Sequence, residues 1–553
     1  MDRARWWAGA GGFLLVLAVL FVAYLRLSRT YPENSDEANI LLMAGDLAHG
    51  NLDLSGWDVS DVPFITTELP EIALLVRLFG LHLDTAHIAA ALTYTVVVAV
   101  AVLLARGGAR GHRMVARIGI ALSIMLAPQP GVGVFVLVFS VGHIGTAAPV
   151  MLTWLVLDRW WPVGDQGARA PRPRWPLPLA VGGLLTWALM ADPLVLVIAV
   201  LPLLAVTGLR LVTGLRNEVP NESVLRQPRP VRTERWLDAS VAAAAGLACL
   251  AAWCGGRLLR AAGGYAKQPV PFTLDPVSTW YHHSRVAAHG LLEMFGAFFL
   301  ASPQSGLAEA VALTRLGCVA LAVLAACVVA RRFFRTDTDL VSQLLLAGIA
   351  ANLAAYLPSS LADHTALNAR EFAPVLPFAA VLAARTLGDR LGERATANRI
   401  VGASLAALFC WYCAGLAHQA AAPAAPNPFA RLEAYLGRHH LTNGIGGYWD
   451  SSVITVDTGG AITIRAVTQG CLQPYAWESQ PAWYAPPGHR ASFVLESSGT
   501  GYFSQWRASP VALRRLGALL PAAGHAALDP GERYTVHAYQ GNLLDRLPLL
   551  ANC

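Results

Sequence analysis

The sequence predicts a polytopic α-helical membrane protein that carries a small C-terminal α/β domain. The chain has 553 residues, 55% of them hydrophobic, and a mean hydropathy of +0.47, which is too apolar for a soluble enzyme. The apolar residues form segments separated by connections, many of them rich in arginine, and the last of these apolar segments ends near residue 420. We therefore expect a transmembrane domain over 1–420, with an acidic loop at 27–85, and a separate domain over 424–553.

The transmembrane domain is predicted to contain about eleven spans. A bilayer core of about 30 Å needs roughly 20 apolar residues per helix. The first segment follows Arg3 and Arg5 and has no Ala-x-Ala site at its C-terminal end, over 13–26, which is typical of an uncleaved signal anchor. Pro128 and Gly131 leave open whether 114–158 holds one broken helix or two. The predicted spans are 7–26, 86–105, 114–129, 141–158, 177–191, 193–210, 237–256, 307–330, 339–357, 372–386 and 399–418.

Arginines predict which side each connection faces. Clusters of arginine occupy the connections near 106–117, 159–174, 210–235, 331–335 and 385–399. With eleven spans, all five clusters lie on the same side as the N-terminus, which the positive-inside rule makes cytoplasmic. We therefore expect a plasma-membrane protein with a cytoplasmic N-terminus, and the loop 27–85, the loops 257–306 and 358–371 and the C-terminal domain outside the cytoplasm.

The C-terminal domain is predicted from a change of pattern. A β-hairpin is expected at 453–467 around the turn Thr458-Gly459-Gly460, with further strands at 492–495 and 534–539 and helices at 429–440 and 510–520. Cys471 and Cys553 are the two cysteines outside the predicted spans, and an oxidising compartment favours a disulfide between them. Sugar stacking and core packing both remain open for the aromatic residues of this domain: Tyr448, Trp449, Trp477, Trp483, Tyr484 and Trp506.

The charged residues exclude one class of partner. Almost the whole net charge of +6 comes from arginine, since Lys267 is the only lysine, and no basic stripe with interleaved aromatics occurs. A nucleic-acid partner is therefore not expected.

The most informative stretch is Asn34 to Asn39, which follows the first span. Asn34 and Glu37 have the spacing of a reciprocal capping box, in which each side chain bonds the backbone of the other. Asp36 then lies in the first helical turn, where it favours the helix dipole and, in the functional interpretation, remains available as a general base. We expect the catalytic carboxylates to be Asp36 and Glu37. Candidate acceptor contacts or second carboxylates are Asp61, Glu68, Glu71 and Asp192.

Four segments resemble the GT-C superfamily of membrane glycosyltransferases, and the likeness is nearest to uncharacterised actinobacterial members. They are 35–39, 66–75, 78–80 and 369–378, in an order that covers the predicted transmembrane domain. One departure is Thr67-Glu68-Leu69-Pro70, which stands where many relatives carry a His-Pro-Pro run. The resemblance implies a GT-C-like fold and a polyprenyl-phosphate sugar as donor.

This resemblance gives the outward cations and carboxylates their expected roles. Arginine binds phosphate bidentately and keeps its charge, so Arg370 is the first candidate for the donor phosphate, followed by Arg257, Arg260 and Lys267. Asp192 precedes Pro193 as a helix cap would, and it follows a span short enough to recess it. Carboxylates also suit a divalent cation, but no ligand spacing specifies one, so no cofactor is assigned.

We therefore expect a glycosyltransferase that moves a hexosyl or pentosyl group from a polyprenyl-phosphate donor to an envelope glycan, lipid or protein. Membrane lipids are the other expected partners. Two alternatives stay open: a transporter or flippase for a lipid-linked saccharide, and a non-catalytic envelope protein that presents the C-terminal domain. A transporter typically shows inverted repeats, and the sequence has none that we detect.

Overall fold

The computed structural model describes residues 3–126, 128–138, 142–160, 175–216, 231–270, 273–300, 306–335, 338–362, 366–498, 505–517 and 534–550. Helices dominate it. In chain order they are α1 (Arg3–Ser28), α2 (Ser35–Ala48), α3 (Glu68–Phe79), α4 (Asp84–Arg106), α5 (Gly111–Met125), α6 (Val132–Leu137), α7 (Ala147–Trp160), α8 (Pro176–Ala191), α9 (Leu201–Arg216), α10 (Val231–Ala261), α11 (Val277–Met294), α12 (Gly306–Arg332), α13 (Leu340–Tyr356), α14 (Val375–Ala397), α15 (Arg399–Ala420), α16 (Ala430–Arg438), α17 (Ser452–Asp457) and α18 (Pro510–Arg515). A π-helical turn (Leu196–Val200) precedes α9, and a 3₁₀ turn (Ala366–Phe372) precedes α14.

The strands are few and short. They are β1 (Asp58–Val59), β2 (Ala266–Lys267), β3 (Asn443–Gly446), β4 (Thr463–Ala466), β5 (Phe493–Ser497) and β6 (Tyr534–Ala538). The chain divides into two compact units. One contains 1–30, 90–256 and 272–423, and the other contains 31–89, 257–271 and 424–553. The acidic loop therefore groups with the C-terminal segment rather than with the transmembrane helices.

A helix lies within or across each of the eleven predicted spans. In the described part of the chain, five helices are long and apolar enough to cross a membrane: Gly11–Ser28, Asp84–Arg106, Arg235–Ala261, Gly306–Arg332 and Arg399–Ala420. The 3₁₀ turn and α14 form a sixth if their 60° bend lies within one span. Shorter apolar helices occur at Pro176–Ala191, Leu196–Val212 and Leu340–Tyr356. The region 114–158 contains α5, the short α6 and α7. α5 ends before Pro128, so this region is not one continuous helix.

In the first unit, α14 packs closely against α5. A Cβ on Gly388 would lie 2.6 Å from Arg117 Cγ, and a Cβ on Gly392 would lie 3.0 Å from the His112 carbonyl oxygen. Glycines four residues apart remove side-chain bulk from one helix face, so the two backbones approach closely. The Arg117 guanidinium then reaches Asp389 with two hydrogen bonds of 2.7 and 2.8 Å.

An ion-pair network joins several helix ends in this unit. Arg385 donates to Asp158 Oδ1 at 2.7 Å, to both Asp339 carboxylate oxygens at 3.0 Å and to the Leu104 carbonyl at 2.9 Å. The ends of α4 and α7 and the start of α13 therefore meet, as the common side predicted for these connections requires. Which side of the membrane this end faces stays a prediction.

In the second unit, four strands form a sheet in the order β4-β3-β5-β6. β3 pairs in parallel with β4 and β5, whereas β5 and β6 are antiparallel. The buried core includes Ile445, Leu472, Val494, Trp506 and Leu544. β1 and β2 form a separate parallel pair.

The predicted hairpin at 453–467 is wrong, because its first strand is helix α17. Parallel strands need a crossover, and α17 provides it between β3 and β4. Val453, Ile454 and Val456 are all buried, so tertiary packing overrides the strand propensity of β-branched residues. The glycine turn is real, but it ends a helix: Gly459 and Gly460 have φ of +58° and +82°, and Gly460 N donates to the Thr455 carbonyl at 2.8 Å.

The other predicted elements of this domain are confirmed. β5 and β6 occupy the strands expected at 492–495 and 534–539, and α16 lies within the helix expected at 429–440. α18 covers the first part of the helix expected at 510–520, of which 518–520 lie outside the described residues. Cys471 is disulfide-bonded, whereas Cys553 lies outside the described residues, so the Cys471–Cys553 pairing stays a prediction.

Candidate active site

Asp36 is positioned by the capping box that begins α2. Asn34 Oδ1 accepts a hydrogen bond from Asp36 N at 2.9 Å, and Glu37 Oε2 accepts one from Asn34 N at 3.3 Å. Both reciprocal bonds of the predicted box are present. Glu37 is buried and committed to this cap, whereas the Asp36 side chain is half-buried. The local sequence thus fixes the backbone of Asp36 without using its carboxylate in the cap.

The Asp36 carboxylate faces a tyrosine of the same unit. The Tyr448 hydroxyl lies 2.6 Å from Asp36 Oδ1 and 2.9 Å from Glu478 Oε2. A phenol has one proton, so it can donate to only one of these two acceptors at a time. Tyr448 therefore joins the two carboxylates into one polar cluster, and its proton can be donated to either carboxylate.

Tyr448 remains a proton donor throughout the physiological pH range. Burial is the largest influence on its pKa, and the negative charges of Asp36 and Glu478 act in the same direction. Together they hold the pKa of Tyr448 well above its usual value. The neighbouring Tyr475 has a raised pKa for the same three reasons.

Asp46 and Asp58, two acids of the segment 27–85, accept hydrogen bonds that stabilise the fold of this segment. Asp46 Oδ2 accepts from Trp57 Nε1 at 2.8 Å and from Gln480 Nε2 at 2.7 Å. Asp58 Oδ1 accepts from Gln268 Nε2 at 2.8 Å, beside the pairing of β1 with β2. These acids join the loop to segments that are distant in sequence, and they explain part of the acidic character that the sequence displays.

The three acceptor candidates of this loop lie in different environments. Glu68 is buried at the start of α3 and accepts a hydrogen bond from the Thr67 hydroxyl. Asp61 and Glu71 are half-buried. Their role as acceptor contacts stays a prediction.

A second polar cluster lies in the first unit and centres on His143. His143 Nδ1 lies 2.7 Å from Asp192 Oδ2, and His143 Nε2 lies 3.1 Å from Glu371 Oε2. Asp192, which is fully buried, also accepts hydrogen bonds from the Thr146 hydroxyl and from Leu194 N. Because each ring nitrogen faces a carboxylate oxygen, the geometry favours an imidazolium that donates from both.

Arg370 extends this cluster toward solvent. Its Nε lies 3.5 Å from Glu371 Oε1, and its side chain is 35% exposed, against 21% for Glu371. The His143 cluster and the Arg385 network lie at opposite ends of α7, because that helix separates His143 from Asp158 in the chain. A part-exposed guanidinium held by a carboxylate is suited to an anionic ligand.

The remaining cation candidates are exposed. Arg257 and Arg260 lie on the last turns of α10, and Lys267 lies in β2. They belong to the second unit, whereas Arg370 belongs to the first. In the described part of the chain, no group of three or more His, Cys, Asp or Glu side chains has the geometry to hold a metal ion.

Sequence reasoning missed four residues of these clusters: Tyr448, Glu478, His143 and Glu371. Tyr448 was considered for sugar stacking or core packing, and Glu478 stands 442 positions after Asp36 in the chain. The two carboxylate partners of His143 come from the residue that follows α8 and from the 3₁₀ turn, both distant from it in the chain. The sequence contains one signal of this cluster: the adjacent opposite charges of Arg370 and Glu371 directly before an apolar helix indicate a polar site at that helix end.

Comparison with known proteins identifies the fold. No protein-family model matches the chain, and no curated protein matches it in sequence. The crystal structure of ArnT from Cupriavidus metallidurans bound to undecaprenyl phosphate is similar over 98% of this chain and 99% of that chain, with 13% identity and a TM-score of 0.52. The apo oligosaccharyltransferase of Archaeoglobus fulgidus is similar over 88% of this chain and 69% of that chain, with 12% identity and a TM-score of 0.46, too low to add to the fold assignment.

The chain is therefore a polytopic α-helical membrane protein with a GT-C-like fold and a small C-terminal α/β domain. It shares the fold of ArnT over nearly the full length of both chains. At 13% identity this likeness concerns the fold alone, and the actinobacterial closeness expected from the sequence has no support among the similar structures.

Proposed function

We propose that the protein is a membrane glycosyltransferase of the GT-C type that moves a sugar from a polyprenyl phosphate to an acceptor hydroxyl. The observation that carries the proposal is the carboxylate of Asp36, presented by a capped helix start and held 2.6 Å from the Tyr448 hydroxyl, in a chain with the ArnT fold. That ArnT was crystallised with undecaprenyl phosphate supports a polyprenyl phosphate as the donor here.

In the proposed reaction the acceptor oxygen attacks the anomeric carbon of the donor. A new carbon–oxygen bond forms as the bond from the anomeric carbon to the phosphate oxygen breaks, with inversion at that carbon. The electron pair leaves with the polyprenyl phosphate, and the acceptor proton passes to Asp36. Tyr448 orients the Asp36 carboxylate before the acceptor arrives when its hydroxyl donates to Oδ1 rather than to Glu478.

The leaving phosphate needs cations, and Arg370 is proposed as the first of them. Its guanidinium is part-exposed, and the pair with Glu371 fixes its direction. Asp192 is proposed to act through His143, which holds Glu371 in turn. Arg257, Arg260 and Lys267 are exposed and remain proposed contacts for phosphate or for lipid headgroups.

The acidic loop and the C-terminal domain are proposed to face the outside of the plasma membrane, where an envelope glycan, lipid or protein is the acceptor. Single cysteines at Ser498 and at Ser55, which is exposed in the acidic loop, should react with an impermeant maleimide on intact cells, in a protein without its native cysteines. A cysteine at Ser223 should react only after lysis. Labelling of Ser223 in intact cells would contradict the proposed orientation.

A comparison of a deletion strain with its parent tests the activity. The deletion should accumulate one polyprenyl-phosphate sugar and lack the corresponding residue in an envelope glycan, lipid or protein. Wild-type protein should restore both, and Asp36→Asn should restore neither at equal expression. Unchanged lipid-linked sugars and an unchanged envelope in the deletion strain would refute the proposal, and a variant that complements fully would refute the role of Asp36.

A further inference from the structure

A small pocket opens in the C-terminal segment next to Tyr448. Its volume is about 200 Å³, below the roughly 300–1,000 Å³ of pockets for drug-sized ligands. The residues that line it have aromatic, amide, hydroxyl and carboxylate side chains. The lining residues that carry these groups are Tyr448, Trp449, Tyr475, Trp506, Asp450, Thr468, Gln469 and Gln505.

The walls of the pocket are fixed by packing. A Cβ on Gly447 would lie 2.8 Å from Trp506 Cγ, so the absence of a side chain lets the backbone approach the indole. Trp506 Nε1 donates to the Val467 carbonyl at 3.2 Å, and its backbone pairs with Ser497. The pocket is thus formed before any ligand binds, and binding need not order its aromatic wall.

The rings form a continuous aromatic surface around Tyr448. Its ring lies 5.0 Å from that of Trp449, edge to face, and 5.4 Å from that of Tyr475. Trp506 is buried, whereas Trp449 is half-buried and retains an accessible part. Trp449 is therefore the indole on which a ligand can stack.

The polar groups decide the kind of ligand. Amide groups donate and accept hydrogen bonds, and the Asp450 carboxylate accepts them. No arginine or lysine is among the described residues that line the pocket, so none of them supplies the positive charge that a phosphate or carboxylate ligand requires. A neutral ring with apolar faces and several hydroxyl groups satisfies both the walls and the polar groups, and this is the chemistry of a monosaccharide.

Tyr448 connects this pocket to the proposed base. Its ring lines the pocket, and its hydroxyl lies 2.6 Å from Asp36 Oδ1. A sugar ring in the pocket is separated from the Asp36 carboxylate by the length of one tyrosine side chain. We propose that the pocket binds one neutral monosaccharide ring of the acceptor, and that Trp449 supplies the stacking surface. The choice of the acceptor as occupant depends on the proposed glycosyltransferase function, but the binding of a sugar ring does not.

Ligand-observed NMR on the full-length protein in nanodiscs tests this pocket. The probes are the methyl glycosides of mannose, glucose, galactose and arabinose, each at millimolar concentration, with N-acetylthreonine amide as a hydroxyl-bearing ligand that is not a sugar. At least one glycoside should show saturation transfer from the wild-type protein. Trp449→Ala should weaken the binding of that glycoside about tenfold, because the variant removes the indole on which the sugar ring stacks.

Trp477→Ala is the matched control, because Trp477 is also half-buried in this domain and does not line the pocket. It should bind the glycoside as the wild type does. Gly447→Ala is the second pocket variant: it fills the space against Trp506 and should also weaken binding while Trp449 stays in place.

Three outcomes would overturn the inference. They are that no glycoside binds, that Trp449→Ala binds as the wild type does, or that only the threonine derivative binds. Asp36→Asn separates this inference from the proposed function, since that variant should lose sugar transfer and keep glycoside binding. If Asp36→Asn transfers normally while Trp449→Ala loses binding, the proposed base fails and the sugar pocket stands.

Discussion

Replacing His143 with leucine should destabilise the protein strongly, because it removes the cation that lies between the fully buried Asp192 carboxylate and the half-buried Glu371 carboxylate. His143 lies 2.7 Å from Asp192 Oδ2 and 3.1 Å from Glu371 Oε2. Removing one partner of a buried ion pair costs about 3–5 kcal/mol. Glu371 is 21% exposed and can be hydrated in part, so we expect about 3 kcal/mol.

Reversible unfolding in detergent, followed by circular dichroism, measures this change. His112→Leu is the matched control, since His112 is exposed at the start of α5 and surface substitutions change stability by about 0.5 kcal/mol or less. The double variant His143→Leu/Asp192→Asn also removes the fully buried charge that loses its histidine partner, so it should recover about 1 kcal/mol of the loss. Equal stability of the His143 and His112 variants, or no recovery in the double variant, would refute the ion-pair interpretation.

Two further predictions concern packing and covalent structure. Gly388→Ala places a Cβ 2.6 Å from Arg117 Cγ, which should lower the free energy of unfolding by about 1–3 kcal/mol in the same assay. The control Gly119→Ala has open space around its Cβ and should leave the free energy of unfolding unchanged. Equal effects of the two variants would show that α5 and α14 do not pack as described. Mass spectrometry of the non-reduced protein should find Cys471 cross-linked to Cys553. This disulfide closes a loop of about 80 residues and should stabilise the folded state by roughly 4 kcal/mol in the chain-entropy model. A Cys471 linked to another cysteine would contradict the pairing.

Local rules made the helices and the cap of α2 predictable. Apolar segments of sufficient length indicated a helix at each predicted span, whereas α3 and α11 lie in segments that were predicted as loops. The spacing of Asn34 and Glu37 predicted both bonds of the capping box, which involve only neighbours in the chain. The strands β5 and β6 were predictable for the same reason, since their residue types and flanking turns are local.

The errors arose where distant segments decide the structure. The β-branched run before Gly459 forms α17, because two parallel strands need a connection and the buried side chains of α17 pack beneath them. The partners of Asp36 were not predictable, because Tyr448 and Glu478 reach it only through the grouping of the loop with the C-terminal segment. Asp192 was identified as a recessed carboxylate, but its pairing with His143 depends on how α7 and α8 pack.

The turnover of purified Asp36→Asn tests the central claim most directly. The variant keeps the size of the side chain and can still bond Tyr448, but its amide cannot accept the acceptor proton. With the polyprenyl-phosphate sugar that accumulates in the deletion strain and the native acceptor, transfer should fall by at least about 10²-fold, the lower range for the loss of a general base. Thermal stability and donor binding should match the wild type. Wild-type turnover by Asp36→Asn would show that this carboxylate is not the base.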